Sequence, residues 1–592
     1  MSEYNAPIDD ILFTMREILD LNKISNKSNK EKLSNEILES ILKEAGKFAK
    51  EVLAPINTLG DKEGATLENG VVRLPTEFQE AYEKFVSNGW GSVTGSKKYG
   101  GQNLPWFVVM ALNEIWQSAN MSFADNLMLT QGAVELLEAH GSEEQKKKIL
   151  PKLISGEWSG TMNLTEPQAG SDLSSIKTKA LKDNDNYIIM GNKIYITHGD
   201  QNMSKNIIHL VLARLSDSPT GTSGISLFLC PKNLINDNGE LGSRNDIRVV
   251  SLEHKLGHNA SPTCVLAYGD KEGAKAEIIG PVNSGINAMF TMMNNARLNV
   301  GIQGVAIAER SYQLALSFAK ERYQGKPIDN SSKNSIAIID HPDVKRMLTE
   351  MKSQIEAMRG LTFIAAEALD LSQSTSDPQL AKKYLSRLEL LTPIVKSWCT
   401  DQGCNITSIG IQVHGGMGFI EESEAPQHYR DSRILPIYEG TNGIQALDLL
   451  RRKLDLNEGE TFNSLLADIK ETANQCLDQK TKQLTIIGNN LNNATLALEE
   501  TASWLNTTFK KRPKNAAAGA TPFLNMCGWT LGGWVMAKYA LISANLLNNG
   551  SQKKFLEDKI LTSEFYSETY LPLVSSMKSS VVNANKCLKV SV

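Results

Sequence analysis

The chain carries almost no net charge: 62 Lys and Arg stand against 66 Asp and Glu, leaving −4 over 592 residues. So small an imbalance gives no electrostatic footprint for nucleic acid, and no nucleic-acid partner is expected. The run Lys146-Lys147-Lys148, followed by Ile149-Leu150, is expected to be a solvated helix end rather than a phosphate-binding patch. Cysteine is sparse, odd in number and unpatterned, with seven residues at Cys230, Cys264, Cys399, Cys404, Cys476, Cys527 and Cys587. No disulfide framework follows, and free thiols in a reducing compartment are expected. Cys399 and Cys404 lack a second Cys/His pair to complete a zinc site, so no metal is expected. Long hydrophobic runs are also missing. The most apolar stretch, Gly528 to Leu547, contains Gly532-Gly533 and Lys538 and reads as a buried helix rather than a membrane span. The first residues, Met1 to Lys23, place acids inside their apolar stretch, unlike a signal or transit peptide, and a cytoplasmic location is expected. There is no internal repeat at a fixed period.

What is present is globular material, 41% hydrophobic and 22% charged. At about 150 residues per domain the length suggests three to four units. Residues 1–160 read as mostly helical. Between Lys30 and Val52, the residues Leu33, Ile37, Ile41, Leu42 and Ala45 fall on one helical face, and Ala111–Ala119 and Ala133–His140 look alike. Gly141 ends one helix and Ser142 caps the next. Residues 161–284 change to short β-branched and aromatic runs separated by Gly, Asn and Asp: Tyr187–Met190, Ile194–Thr197, Ile207–Ala213, Ile225–Leu229, Ile247–Ser251 and Val265–Tyr268. That pattern predicts an antiparallel barrel or sandwich. Residues 285–455 return to helical periodicity, most plainly over Asn299–Arg322, with Pro342 and Pro393 as punctuation. A polar linker at Leu456–Glu460 leads to a further helical unit, 456–592, with loops such as Lys510–Lys514. The class is α+β, with an N-terminal helical domain, a β domain, a helical bundle and an additional C-terminal helical domain.

Four segments carry chemistry. Leu164-Thr-Glu-Pro-Gln-Ala-Gly-Ser171-Asp172 is a turn whose hydroxyls and N–H groups could hold an acceptor-rich ligand, or a domain-boundary loop. In Lys193-Ile-Tyr-Ile-Thr-His198, Tyr195 and Thr197 share a strand face and could pack on a flat ring, although ordinary alternation explains them equally well. Gln412-Val-His-Gly-Gly-Met-Gly-Phe419 fails the dinucleotide glycine spacing, since Glu421 stands where the third glycine belongs and no strand precedes it. Its paired glycines still permit close approach to a phosphate. In Arg430-Asp-Ser-Arg-Ile-Leu-Pro-Ile-Tyr-Glu439-Gly-Thr441-Asn-Gly-Ile-Gln445, Glu439 stands between an apolar run and Gly440. It is either a desolvated general base or a surface glutamate at a helix start.

In order and spacing these segments resemble the acyl-CoA dehydrogenase family over about residues 100–452, together with Gly141-Ser-Glu-Glu-Gln145, Leu150-Pro151, Gly156-Glu157, Arg297, Arg322-Tyr-Gln-Gly325 and Arg430-Asp431. The opening Tyr4-Asn-Ala-Pro-Ile-Asp-Asp and the extra C-terminal unit resemble a longer-chain subgroup that includes 3-methylmercaptopropionyl-CoA dehydrogenases. The resemblance implies FAD between the β domain and the helical bundle. It implies cofactor contacts from Met162, Leu164, Thr165, Gly170, Ser171, Tyr195, Thr197 and Thr441, and from Arg322, Gln412, Gly415 and Gly416 of a neighbouring subunit. Ser171, Arg297 and Gly440 would hold substrate. The family's base occupies one of two places, matched here by Glu439 and by Ala296, so Glu439 has no local rival. The chain departs from the common pattern at Asn294, Tyr195, His198 and Gly443, and Arg322–Gly325 is one residue short. The implied reaction is removal of the α-proton by Glu439 with hydride transfer to flavin, giving a trans-2-enoyl-CoA. The implied substrate is 3-methylmercaptopropionyl-CoA or a fatty acyl-CoA, the implied acceptor an electron-transferring flavoprotein, and the implied assembly a homodimer or a dimer of dimers. An acyl-CoA oxidase, or a DNA-associated relative of the same fold, is the alternative.

Overall fold

The computed structural model describes residues 3–19, 33–236, 238–547 and 553–591. The expectations for Met1–Lys23 and for Lys30–Lys32 therefore fall partly outside the described residues. The chain forms two compact units, one of residues 43–299 and one of residues 1–42 with 300–592.

The unit of residues 43–299 joins helices to the β-sheet. Helix Asn35–Phe48, which leads into it, buries Leu38, Leu42 and Ala45. Ile37, expected on that face, is half exposed, because the buried stripe begins one residue later. Helix Trp106–Ala119 is buried on every face, and Met121–His140 nearly so. Ser142 caps Glu143–Ser155 as expected. Its Oγ accepts from Gln145 N at 3.1 Å, and the Gln145 side chain accepts from Ser142 N at 3.0 Å, a reciprocal capping box. Lys146–Lys148 lie in the first half of this helix, with Lys147 exposed.

The β region is a curled eight-stranded sheet with a separate two-stranded hairpin, Asn233–Ile235 with Leu241–Arg244. The order of the large sheet is Ile247–Leu252, Thr263–Tyr268, Asn186–Thr197, Ala274–Ile279, Ser226–Pro231, Asn206–Ala213 and Trp158–Asn163, with Lys179–Asp183 paired to Asn186–Thr197. Two of the expected strands merge into the long Asn186–Thr197, which pairs with Ala274–Ile279 near its start and with Thr263–Tyr268 near its end. All pairings in this sheet are antiparallel except Trp158–Asn163 with Asn206–Ala213. The sequence gives little sign of Trp158–Asn163, Lys179–Asp183 or Ala274–Ile279, which lack β-branched runs. Helix Met121–His140 crosses the sheet closely at Gly160, where an added Cβ would meet the Ala133 methyl at 2.3 Å.

The second unit is helical. Helices Pro342–Ser374 and Pro378–His414 pack along each other. Pro342 starts the first helix, but Pro393 lies inside the second and does not end it. The additional C-terminal helices surround Ala520–Leu547. That helix is apolar because neighbours cover it: a Cβ on Gly528 would meet Trp398 Cγ at 2.2 Å, and Lys538 lies over the Trp534 ring at 4.5 Å. Among the described residues no helix is long and apolar enough to cross a membrane. Lys510–Lys514 is not a loop. One helix runs to Lys511, Arg512 breaks it at φ −142° and ψ 71°, and Pro513 starts the next.

Candidate active site

The β-bearing unit carries Met162 on strand Trp158–Asn163, Leu164, Thr165, Gly170 and Ser171 on the loop that follows it, and Tyr195 and Thr197 on strand Asn186–Thr197. Glu166 and Ala169 exchange backbone hydrogen bonds, Glu166 N to Ala169 O at 3.0 Å and Ala169 N to Glu166 O at 2.9 Å, which closes a tight turn over Pro167-Gln168. Ile194 N donates to Thr165 O at 2.9 Å and ties the loop to the strand. Gly170 and Ser171 are exposed, Thr165 and Met162 half-buried, and Leu164 buried.

The strand does not alternate simply. Its register against Thr263–Tyr268 shifts between Cys264 and Leu266, which face Ile196 and Lys193, so the strand carries an extra residue there. Tyr195 stands at φ +59° on this bulge, and its ring is 61% exposed. Lys193, two residues earlier, is fully buried. Regular pleating would put both side chains on one face; the bulge turns the tyrosine out. A bulky residue at positive φ is strained, and such strain persists where the surroundings impose it. His198 follows at φ +50°, with Nε2 donating to Ser122 O at 3.1 Å; burial pushes its imidazole down to about 4, so it is neutral.

Lys193 and Glu166 form a buried anchor that sequence reasoning missed. Lys193 Nζ donates to Glu166 Oε1 at 2.8 Å and to Leu164 O at 3.0 Å. Glu166 also accepts from Lys177 N, Thr178 N, Thr178 Oγ1 and Gln168 Nε2. Burial alone would raise the Glu166 carboxyl, but the Lys193 ammonium and these donors hold it down at about 2. The signal available in the sequence was a lysine directly before the apolar run Ile194-Tyr195-Ile196.

In the helical unit, Gln412, Gly415 and Gly416 are exposed at the end of Pro378–His414, with no strand before them. Gly415 has φ +58° and ψ −136°, a conformation open only to glycine, yet an added Cβ at Gly415 or Gly416 would meet nothing within 4 Å. Among the described residues no neighbour crowds these glycines, so they leave the backbone open to an outside group. Phe318 stacks on His414 at 4.6 Å, which brings the end of helix Gly285–Glu321, with exposed Arg322, beside this loop.

Glu439 is half-buried, on a strap between helices Ala425–Ser432 and Asn442–Asp448, and not on a helix start. It too has positive φ, +56°. The strap is fixed at both ends. Tyr438 OH donates to Gln303 Oε1, and Asn442 N donates to Pro436 O at 2.9 Å. Buried Asn442 accepts from Lys396 Nζ at 2.8 Å and donates to Asp401 Oδ1 at 2.8 Å. Gln445 Nε2 reaches Gly440 O at 3.3 Å, and Thr441 caps the next helix, its Oγ1 accepting from Ile444 N. Gln303, Lys396 and Asp401 lie far from Glu439 in sequence, and nothing local marks them. Arg297 is nearly buried, and Ala296 before it is buried. Among the described residues no cluster of His, Cys, Asp and Glu could hold a metal, and all seven cysteines are free thiols.

Four family models match the chain: the acyl-CoA dehydrogenase N-terminal domain over residues 35–157, the middle domain over 161–270, the C-terminal domain over 283–454, and an acetyl-CoA dehydrogenase C-terminal-like domain over 465–589. The 3-methylmercaptopropionyl-CoA dehydrogenase of Ruegeria pomeroyi is 42% identical over 586 residues, covering 99% of each chain. A butyryl-CoA dehydrogenase of Syntrophomonas wolfei is 31% identical over 98% of this chain and 97% of its own. An acyl-CoA dehydrogenase of Bacillus anthracis, solved with FAD, superimposes with a TM-score of 0.75 over 96% of this chain and 91% of its own, at 20% identity, and shares the fold. The chain belongs to the acyl-CoA dehydrogenase family and is an oxidoreductase of acyl-CoA thioesters.

Proposed function

We propose that the chain introduces a trans α,β double bond into an acyl-CoA thioester, using FAD and with Glu439 as the base. The observation that carries this reading is the Glu439 backbone, held at φ +56° on a strap pinned by Tyr438–Gln303 and Asn442–Lys396–Asp401. A carboxylate carried at such a backbone position, with its neighbours fixed, is a preorganised base.

The residues present fit FAD. Exposed Tyr195 and half-buried Thr197 offer a ring and a hydroxyl, the Leu164–Ser171 loop offers hydroxyls and backbone donors with Met162 beside it, and Gly415 and Gly416 leave a backbone cradle open. Thr441, Arg322 and Gln412 supply further polar contacts, and the last two, with the glycines, serve the cofactor of a neighbouring subunit in a homodimer or dimer of dimers. Exposed Phe419 and Met417, next to that loop, are apolar surface that such an assembly covers. FAD, when bound, supplies the two-electron acceptor for the β-hydride.

The chain's own residues do the rest. Glu439 takes the α-proton. Its backbone N–H donates to the thioester oxygen as enolate charge grows there. Ser171, Arg297 and Gly440 hold the acyl-CoA. The working modules are residues 1–160, 161–284, 285–455 and 456–592, the acceptor is an electron-transferring flavoprotein, and the location is cytoplasmic. The full-length similarity to the Ruegeria enzyme supports 3-methylmercaptopropionyl-CoA as substrate, with fatty acyl-CoAs as the wider class.

Glu439→Gln is expected to keep fold and flavin and to lower kcat by about 10²–10⁴. Near wild-type turnover at saturating acyl-CoA would refute the assignment. Rapid air oxidation of the reduced enzyme, followed by stopped flow, would replace the dehydrogenase by an oxidase. A panel of short, long and thioether-bearing acyl-CoAs identifies the acyl group.

A further inference from the structure

A cavity of about 470 Å³ lies within the helical unit, where helices Pro378–His414, Ala425–Ser432 and Ala520–Leu547 meet the strap after Arg433. The dehydrogenation does not use it. Its walls are mostly polar and include Asp401, Cys404, Ser408, Tyr429, Arg433 and Asn525. Three of these leave hydrogen-bonding capacity unspent. Arg433 forms no ion pair among the described residues; its guanidinium makes one long contact, 3.9 Å, to Cys404 Sγ. Asn525 Oδ1 is buried and has no hydrogen-bond partner among the described residues. Asp401 uses Oδ1 to accept from Asn442 at 2.8 Å, while its Oδ2 has no partner among the described residues.

An unpartnered buried acceptor costs about 1–3 kcal/mol. The half-buried Arg433 guanidinium, whose charge acts on Asp401 in the same lining, presents a fork of N–H groups that matches a carboxylate or phosphate. The thiol does not account for the site. Cys404 donates to Ser432 O at 3.2 Å, and burial raises its pKa, so it is no nucleophile. The volume is too small for an acyl-CoA and falls in the range of small-ligand sites, about 300–1,000 Å³.

We propose that this cavity is a second ligand site, for a small organic anion that carries its own hydroxyl or ammonium donors. The anionic head pairs with Arg433, and the donors meet Asn525 Oδ1 and Asp401. Burial raises the Asp401 carboxyl, while Asn442, Lys396 and Arg433 hold it back. Arg433 and Pro436 belong to the strap that ends at Glu439, and Asp401 holds Asn442 just beyond it. An occupant therefore presses on both ends of the strap. That coupling rests on Glu439 as the base; the binding site does not.

The test is calorimetric titration of the full-length, FAD-loaded protein, without acyl-CoA, using L-malate and 3-phosphoglycerate, with succinate as the matched anion lacking a hydroxyl. One of the first two is expected to bind at least about tenfold more tightly than succinate, the cost of an unmet acceptor. Malate and phosphoglycerate separate a carboxylate head from a phosphate head. Arg433→Ala and Asn525→Ala are each expected to weaken that binding by at least about tenfold. Asn525→Ala is also expected to raise the melting temperature of the ligand-free protein, because it removes a buried acceptor that makes no bond; a purely structural asparagine would lower it. No binding of either anion, or binding indifferent to both substitutions, overturns the site. Binding that leaves kcat unchanged overturns the coupling.

Discussion

Lys193 lies in the β-bearing unit and Lys559 in the helical one, and their side chains are 0% and 2% exposed. Their surroundings differ, above all in the number of carboxylates. Lys193 meets a single carboxylate, Glu166, and the carbonyl of Leu164. Lys559 meets two, Asp10 and Glu356, the second at 3.0 Å, and lies over the rings of Phe13, Tyr539 and Phe555. Burial drives Lys193 down to about 8 against the pull of Glu166. Burial would lower Lys559 too, but Glu356 and Asp10 together outweigh it and push its pKa up. Desolvation disfavours a charge wherever it is buried, and the number of opposite charges decides whether the ammonium survives. The two anchors also serve different ends. Lys193 holds the candidate cofactor loop, while Lys559 ties the N-terminal segment and the additional C-terminal helices to helix Pro342–Ser374.

The sharpest way to break this comparison is Lys559→Met. It leaves Asp10 and Glu356 facing each other with only the more distant Lys352, 3.8 Å from Glu356, and Arg359 to offset them, and is expected to cost about 3–5 kcal/mol in chemical denaturation, with the flavin still bound by the folded fraction. A cost under about 1 kcal/mol would mean that the pair is neutralised by protonation instead. Glu166→Gln comes next, at about 2 kcal/mol, because Lys193 is already inclined to shed its proton and so limits the penalty. Lys193→Met is milder, about 1–2 kcal/mol, since Glu166 keeps its other donors. Its larger effect is on the loop: flavin absorbance is expected to be lost on gel filtration, where the Lys559 variant retains it. The smallest effect is acid-dependent. The folded-state pKa of Glu166 is depressed, so its contribution is fully present above its unfolded value of 4.5 and is lost as pH falls through about 2. Thermal scans across that window should show the gap between wild type and Glu166→Gln closing.

These pairs also mark how far the chain could be read. The motifs around Ser171, Gly415 and Glu439 are contiguous, so the chemistry of each segment was visible, and Ser142 announced a helix start that the structure keeps, with Gln145 completing its capping box only there. Strands Trp158–Asn163, Lys179–Asp183 and Ala274–Ile279 escaped because neighbours, not their own propensity, make them strands. Ile37 was misplaced because a stripe of similar residues fits two adjacent faces. Pro393 was read as a break, yet the packed helix carries it. Gln303, Lys396 and Asp401 carried no local sign of holding the Glu439 strap.

Residue type and short-range spacing were enough to fix the reaction family and the order of its four matched domains, and to single out Glu439 as the proposed base. Only the tertiary structure decided that Tyr195 turns outward on a bulge while Lys193 turns in, and that two buried lysines take opposite shifts. Charge in a low-dielectric interior depends on what lies within a few ångströms, and those partners stand 27 residues away for Lys193 and 549 for Lys559.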